Sequence, residues 1–237
     1  EGHLVVAGGN KILVFQLLGS ELGQIAFLDA PIYTTSLSTV KNFILIGDLQ
    51  QSIFFLRWKE ENRSLNLLAQ DFGEMEVASS EFIIDGSTLA MLVADNLKNV
   101  QIFSYAPQSS ESWQGKKLLS KSEFYTGCTI SKFVRVKVCE CTVSNQLRVS
   151  ELKMRADLVW QVMQGAFTAC GSLKDVKEVN RYAGFFSSYE GSMGYIMPLE
   201  EQVSRLLMEL TTLMTKRKEI NTYGLNPRVR IKSWWTL

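Results

Sequence analysis

Paired apolar strands joined by a tight turn recur four times along this chain. In each copy an apolar run leads into a turn containing Gly, Asp, Asn or Ser, and a second apolar run follows. Short apolar runs on both sides of such a turn predict antiparallel β-hairpins. The four predicted hairpins span Leu4–Leu17, Phe43–Trp58, Leu89–Ala106 and Ala183–Leu199.

The spacing of these hairpins indicates a repeat. Their turns lie near Gly8, Asp48, Asp95 and Glu190, at intervals of 40, 47 and 95 residues. The long interval equals two periods, or one period plus an insertion. Paired strands with a period of about 40–45 residues are typical of propeller blades, which must stack because one blade cannot bury both faces of its sheet. We therefore predict a mainly β fold of WD40-like β-propeller blades, an architecture that favours binding over catalysis.

Further strands are predicted between the hairpins. Pro31 lies between two of these predicted strands. This position suits proline, which is found at a sheet edge or in a turn and not in a central strand. We assign Val77–Ile84 to the second blade and interpret the polar residues 107–115 as a surface loop. The predicted strands outside the hairpins are Ile25–Leu28, Ile32–Leu37, Ser64–Ala69, Val77–Ile84, Leu118–Phe124 and Ile130–Val138.

The pattern changes in the stretch 139–182. Residues 149–168 carry apolar side chains at helical spacing, and we interpret 139–182 as a partly helical insertion within a blade. The apolar face of this insertion either docks on the propeller or faces a partner. Its apolar residues are Leu152, Leu158, Val159, Val162 and Met163.

A helix is predicted after the fourth hairpin. Glu200 and Glu201 fall in its first turn and Lys216–Lys218 in its last, so each charge complements the helix dipole. We predict propeller blades over 1–198 and the start of a C-terminal helical domain over 199–237. The apolar face of the helix, expected to pack against the propeller or the helical domain, comprises Val203, Leu206, Leu207, Leu210, Leu213 and Met214.

Composition narrows the classes of function. The 237 residues carry a formal net charge of +1, which creates no global field that selects nucleic acid or membranes. No apolar run reaches the length of a membrane span. The chain starts at Glu1 without a signal peptide, and four blades are too few to close a usual propeller. We therefore expect a fragment of a longer chain whose missing blades lie upstream.

Catalytic, metal-binding and cofactor-binding motifs are not found in the sequence. His3 is the only histidine, and neither a GxxxxGK nor a GxGxxG loop occurs. The cysteine spacing matches no common zinc signature, so we predict reduced, buried thiols in an intracellular protein, no metal and no cofactor. The cysteines are Cys128, Cys139, Cys141 and Cys170.

Two groups of residues could be catalytic or ligand-binding, and we interpret both as structural. Asp48 and Asp95 occupy equivalent turns, where aspartate commonly binds its own turn backbone. Aromatic residues on the strands could stack on bases, but alternating strand aromatics usually fill the space between blades. These aromatic residues are Phe54, Phe55, Trp58, Phe82 and Phe103.

Basic and aromatic residues interleave at one place, the C-terminal tail. This cluster is a candidate RNA-binding site, because cations contact phosphates and tryptophans stack on bases. In the alternative interpretation, which we prefer, the lysines cap the helix and the tryptophans dock into a larger domain. The cluster comprises Lys216, Arg217, Lys218, Arg228, Arg230, Lys232, Trp234 and Trp235.

Several short motifs resemble one family. The stretch Phe43–Trp58 with the following Ala69–Phe72 step resembles the blade shared by the large three-propeller scaffolds of polyadenylation, damage-specific DNA binding and splicing. Gly191–Glu201 resembles the last propeller hairpin of the polyadenylation branch running into its C-terminal helix. Gly224–Arg228 resembles the GLNPR step after that helix. The resemblance covers about residues 1–137 and 183–229.

The resemblance implies a non-enzymatic nuclear scaffold with no catalytic residues, in which Asp48 and Ser52 are structural turn residues. It also implies protein partners within a multi-subunit complex, a WD-repeat subunit and a zinc-finger subunit that recognise the AAUAAA signal, with RNA contacted weakly or indirectly and no membrane contact. Three alternatives stay open: a scaffold of the same fold in ubiquitin ligation or DNA repair, one in splicing, or a module that binds RNA or DNA directly.

Overall fold

The computed structural model describes residues 2–137, 140–141, 176–177, 181–199, 205–206 and 209. This part of the chain is mostly β. Its strands are β1 (His3–Gly8), β2 (Lys11–Leu18), β3 (Glu21–Asp29), β4 (Thr34–Val40), β5 (Phe43–Asp48), β6 (Ile53–Lys59), β7 (Ser64–Gln70), β8 (Val77–Asp85), β9 (Thr88–Asp95), β10 (Asn99–Ser104), β11 (Leu119–Tyr125), β12 (Ile130–Lys137), β13 (Glu140–Cys141), β14 (Val176–Lys177), β15 (Tyr182–Ser188) and β16 (Met193–Ile196).

The strands form antiparallel meanders that repeat along the chain. The second and third sheets are four-stranded, with orders β4-β5-β6-β7 and β8-β9-β10-β11. The first sheet has the order β1-β2-β3, the fourth has β12-β15-β16, and β13 pairs with β14. All four predicted hairpins are confirmed, as β1–β2, β5–β6, β9–β10 and β15–β16. The prediction of β-propeller blades is confirmed with them.

The assignment of Val77–Ile84 to the second blade is wrong. This segment forms β8, which pairs with β9 and begins the third sheet. The cause is a two-residue hairpin turn at Gly86-Ser87, where Gly86 adopts a positive φ of 58°. A two-residue turn with glycine at its first position, between two apolar runs, is a hairpin signal, and it makes β8 the first strand of its own blade.

Apolar clusters fill the space between neighbouring sheets. In β5, Ile44 and Ile46 belong to the cluster shared with the first sheet, while Leu45 belongs to the cluster shared with the third. In β9, Met91 faces the second sheet and Leu92 the fourth. Because successive strand residues point to opposite faces, both faces of each complete sheet are buried by a neighbour, as stacked blades require.

Serine hydroxyls connect the first strands of neighbouring sheets. Ser36 Oγ in β4 lies 2.7 Å from Ser80 Oγ in β8, and Ser38 Oγ donates to the Ser80 carbonyl at 2.7 Å. On the other side of β8, the backbone amide of Phe133 in β12 donates to Ser79 Oγ at 3.0 Å. These bonds fix the register of β4, β8 and β12 where the sheets approach most closely.

The regions predicted to be an insertion and a helical domain are described only in part. β12 pairs with β15, and β13 pairs with β14 between them along the chain. The predicted insertion helix lies outside the described residues. Arg205, Leu206 and Glu209 are helical, and Leu206 is 64% exposed, so this member of the predicted apolar face does not pack on the described blades. The boundaries at 139–182, 198 and 199–237 stay predictions.

Candidate functional site

The turn between β5 and β6 holds the most buried acid among the described residues, Asp48. Its carboxylate is fully buried and accepts four backbone hydrogen bonds. Oδ2 accepts from the amides of Ile32 and Tyr33 at 3.1 and 3.0 Å, and Oδ1 accepts from the amides of Gln50 and Gln51 at 3.0 Å each. The carboxylate thus joins its own turn to the loop that enters from the first sheet.

These contacts decide the chemistry that Asp48 can perform. Burial raises the pKa of the Asp48 carboxyl, but the four backbone hydrogen bonds outweigh burial and hold the pKa below its ordinary value. A carboxylate with a lowered pKa and fully used acceptor positions is a poor general acid or base near neutral pH. The geometry therefore supports a structural role for Asp48.

Ser52 connects the same turn to the loop that leaves for the third sheet. Its Oγ donates to Asp71 Oδ2 at 2.7 Å, and its amide donates to the Met75 carbonyl at 3.2 Å. Ser52 is fully buried with a positive φ of 58°, a conformation that costs on the order of 1–3 kcal/mol for a non-glycine residue. The turn from Asp48 to Ser52 therefore holds together the chain segments that connect three successive sheets.

The equivalent turns of the third and fourth sheets use different contacts. Asp95 accepts from the amide of Asn99 at 2.7 Å and from Asn99 Nδ2 at 2.9 Å, which stabilises only its own turn. In the fourth sheet Ser188 Oγ accepts from the amide of Ser192 at 2.9 Å. The structural interpretation of Asp48 and Asp95 thus agrees with their observed partners.

Glu190 links the turn of the fourth hairpin to the third sheet. Its carboxylate accepts from the Thr129 amide at 3.0 and 3.1 Å and lies 3.5 Å from Lys98 Nζ. The Thr129 amide lowers the pKa of the Glu190 carboxyl. Because Glu190 and Lys98 are both substantially exposed, solvent screens this ion pair and its contribution to stability is small.

The aromatic residues considered as base-stacking platforms lie in the core. All five are at most 8% exposed, and Phe55 contacts the rings of Phe82 and Phe43. They cannot present ring faces to a nucleic acid without unfolding the sheets. The prediction that they pack between blades is confirmed for Phe54, Phe55, Trp58, Phe82 and Phe103.

An exposed aromatic cluster appears where the sequence predicted only a surface loop. Trp113 is 54% exposed and Phe72 is 51% exposed, and their ring centroids lie 5.0 Å apart. Lys117 Nζ lies 5.1 Å from the Trp113 ring centroid. Trp113 and Gln114 both adopt positive φ. The sequence gives no signal for this cluster, because the two aromatic residues are 41 positions apart and neither belongs to a periodic pattern.

The basic and aromatic tail is the candidate RNA-binding cluster of the sequence. The residues of the tail cluster lie outside the described residues, and their role in RNA binding stays a prediction. They are Lys216–Lys218, Arg228, Arg230, Lys232, Trp234 and Trp235.

The described residues offer no arrangement for metal binding. Cys139 and Cys170 lie outside them, while Cys128 is a half-buried free thiol. Within the described ranges His3 contacts the Trp58 ring, and no group of three or more His, Cys, Asp or Glu is arranged to hold a metal ion.

Among the helical residues that the structure describes, none belongs to a helix long and apolar enough to cross a membrane.

Stacked four-stranded sheets, buried turn acids and loops bonded across neighbouring sheets define this chain as a β-propeller-type repeat protein. Residues 1–230 match the family model described as the CPSF A subunit region. The chain therefore belongs to this family.

Curated relatives agree with the family match. The chain is 40% identical over 232 residues to the probable cleavage and polyadenylation specificity factor subunit 1 of Oryza sativa subsp. japonica. It is 39% identical over 228 residues to the corresponding subunit of Arabidopsis thaliana and 32% identical over 227 residues to that of Drosophila melanogaster. Each match covers 96% of this chain and 14% of the relative. These names describe a subunit of a processing factor and state no catalytic activity.

Proposed function

We propose that this chain is part of a non-enzymatic scaffold subunit in the nuclear complex that cleaves and polyadenylates pre-mRNA. The relatives are named for cleavage and polyadenylation, which supports a role in mRNA 3′-end processing. Propeller blades supply a rigid repeat surface on which partner subunits assemble.

The contacts of Asp48 are the observation that carries the non-enzymatic part of this proposal. This acid is the most buried among the described residues and lies in a hairpin turn, and its carboxylate accepts hydrogen bonds from four backbone amides. Ser52, at the end of the same turn, donates its hydroxyl hydrogen to Asp71 Oδ2. The Asp48 carboxylate and the Ser52 hydroxyl are groups of the kind that perform catalysis in enzymes. In this chain both connect successive sheets.

The partners follow from the family resemblance. The scaffold would hold a WD-repeat subunit and a zinc-finger subunit, which recognise the poly(A) signal, and would contact RNA weakly or indirectly. Exposed apolar residues at the turns and loops, such as Leu97, Tyr189 and Phe72, are 75%, 77% and 51% exposed and could contribute apolar contacts to partner subunits.

Depletion and add-back in a nuclear extract test this proposal. Removal of the full-length protein should abolish cleavage and polyadenylation of a model pre-mRNA, and the purified protein should restore both. Asp48→Asn and Asp95→Asn proteins, added at a temperature where each is folded, should also restore both activities. Loss of the reaction with a folded Asp48→Asn protein would show that Asp48 takes part in chemistry or recognition and would contradict the scaffold assignment.

A further inference from the structure

A cluster of two exposed aromatic residues and a lysine lies where the second sheet meets the third. Phe72 follows β7, and Trp113 and Lys117 precede β11, so the cluster lies beside the last strands of both sheets. The Gln70 amide donates to the Lys116 carbonyl at 2.9 Å, which joins the end of β7 to the segment that enters β11. We name Phe72, Trp113 and Lys117 the rim cluster.

The loop that carries Trp113 is fixed by internal hydrogen bonds. Ser112 is fully buried, and its Oγ donates to the Ser109 carbonyl at 2.7 Å and accepts from the Gly115 amide at 3.1 Å. The Lys117 amide donates to the Ser112 carbonyl at 2.9 Å. These bonds hold the loop in place before any ligand binds, which lowers the entropy cost of binding.

The backbone at Trp113 is strained. Trp113 has a φ of 50° and a ψ of 54°, and Gln114 follows with a φ of 59°, so two successive non-glycine residues adopt the left-handed conformation. This conformation costs free energy, and the Trp113 side chain regains little of it by burial because it is 54% exposed. Since such strain is concentrated at functional sites, the rim cluster is a candidate binding site.

The charge beside the rim cluster favours an anionic ligand. Residues 113–121 include three lysines and no acid. Lys116 and Lys121 form no ion pair within the part of the chain that the structure describes. The third lysine, Lys117, places its Nζ 5.1 Å from the centroid of the Trp113 ring. Two lysine ammonium groups are therefore available to an anion beside an aromatic surface.

The exposed rings narrow the anion to a nucleic acid. More than half of the surface of Phe72 and of Trp113 is exposed, and their ring centroids lie 5.0 Å apart. Every base presents a π face that stacks on such rings, while lysines contact the phosphates. The carboxylates of an acidic protein segment would pair with the lysines but would offer the rings no stacking surface.

We propose that the rim cluster is a sequence-independent contact for single-stranded RNA. A base stacks on one of the two rings, and Lys116 contacts a neighbouring phosphate. This inference rests on the proposed function, which brings pre-mRNA to this chain. Glu74 and Glu111 are exposed and flank the cluster residues in sequence, so they repel phosphates and keep the contact weak.

Photo-cross-linking of the purified full-length protein to oligouridine that carries 5-iodouridine locates the contact. We expect cross-linked peptides that contain Trp113 or Phe72. Cross-links confined to other parts of the protein would overturn the proposal. The protein is used here without other subunits, so the result separates the RNA contact from the scaffold role, which the add-back experiment tests.

Titration of full-length variants with oligouridine measures the contribution of the ring. Trp113→Ala should weaken binding by about five-fold or more, through loss of one stacked base, and Trp113→Phe should retain most of the affinity. The matched control is Tyr189→Ala, which removes an aromatic side chain that is 77% exposed beside the acid Glu190 and should leave the affinity unchanged. Equal affinity of wild type and a folded Trp113→Ala protein would overturn the proposal.

The salt dependence of the same titration tests the phosphate contact. Lys116→Ala should reduce the slope of log K against log salt concentration by about 0.7, the value for one phosphate contact on a single strand. An unchanged slope would overturn the phosphate contact. Loss of a co-purifying protein from Trp113→Ala, at unchanged RNA affinity, would overturn the proposal and assign the rim cluster to a protein partner.

Discussion

At the scale of single residues, Asp48 makes a pH-dependent contribution to stability. Its folded-state pKa is lowered, so the contribution is fully present above the unfolded value of about 4 and is lost as the pH falls through the folded value. Asp48→Asn should lower the free energy of unfolding at pH 7, because an amide group would face backbone N–H donors. The deficit relative to wild type should shrink below about pH 4.

Denaturant unfolding between pH 7 and pH 3 measures this deficit. The matched variant is Asp95→Asn, in the equivalent turn, which should cost less at pH 7 because Asp95 bonds only Asn99. An Asp48→Asn deficit that stays constant down to pH 3 would contradict the assigned role of the carboxylate.

Gly47 supplies the second residue-scale prediction. The sequence suggests a positive φ at this turn, which would penalise a β-branched residue, but Gly47 is not among the glycines with positive φ. Instead, a Cβ added to Gly47 would overlap Ser36 Oγ and Val77 Cγ1, from β4 and β8. Gly47→Val should therefore destabilise the chain by about 1–3 kcal/mol or more, through overpacking between two sheets.

Gly8 offers the control for Gly47. It lies in β1 with no atom within 4 Å of an added Cβ, so Gly8→Ala should change the free energy of unfolding by less than about 0.5 kcal/mol. If Gly47→Val kept the wild-type stability but lost a partner, the turn would be a recognition site.

At the scale of elements, the Ser36–Ser80 bond joins β4 to β8 across two sheets. Both residues are buried, so changing either serine alone to alanine leaves a buried hydroxyl without this partner and should cost about 1–3 kcal/mol. The double variant should cost less than the sum of the two single variants. Strict additivity in a double-mutant cycle, measured by denaturant unfolding, would show that the hydroxyls do not stabilise the junction.

The sequence predicts individual elements better than their grouping into blades. Apolar runs and turn residues locate all four hairpins, because hairpins depend on local pattern. The pairing of β8 with β9 depends on the Gly86-Ser87 turn, which the repeat spacing alone does not identify. The Phe72–Trp113 contact joins two loops distant in sequence, and the close approach at Gly47 involves three strands, so neither follows from a local pattern.

At the scale of the whole molecule, the near-neutral charge bears on nucleic-acid binding. We expect the chain to bind AAUAAA RNA weakly and without preference over a scrambled control, with a shallow dependence on salt, because its 25 Lys and Arg residues are balanced by 24 Asp and Glu residues. A titration at two salt concentrations measures this. Submicromolar, selective binding that is lost on changing Trp234, Trp235 or Arg228 to Ala would instead assign RNA recognition to the tail.

Affinity purification of the full-length protein from nuclei, with mass spectrometry of the proteins that co-purify, tests the scaffold assignment most directly. We expect stoichiometric recovery of cleavage and polyadenylation subunits, including a WD-repeat protein and a zinc-finger protein. Recovery of ubiquitin-ligase or splicing subunits in their place, or of the protein alone, would contradict it.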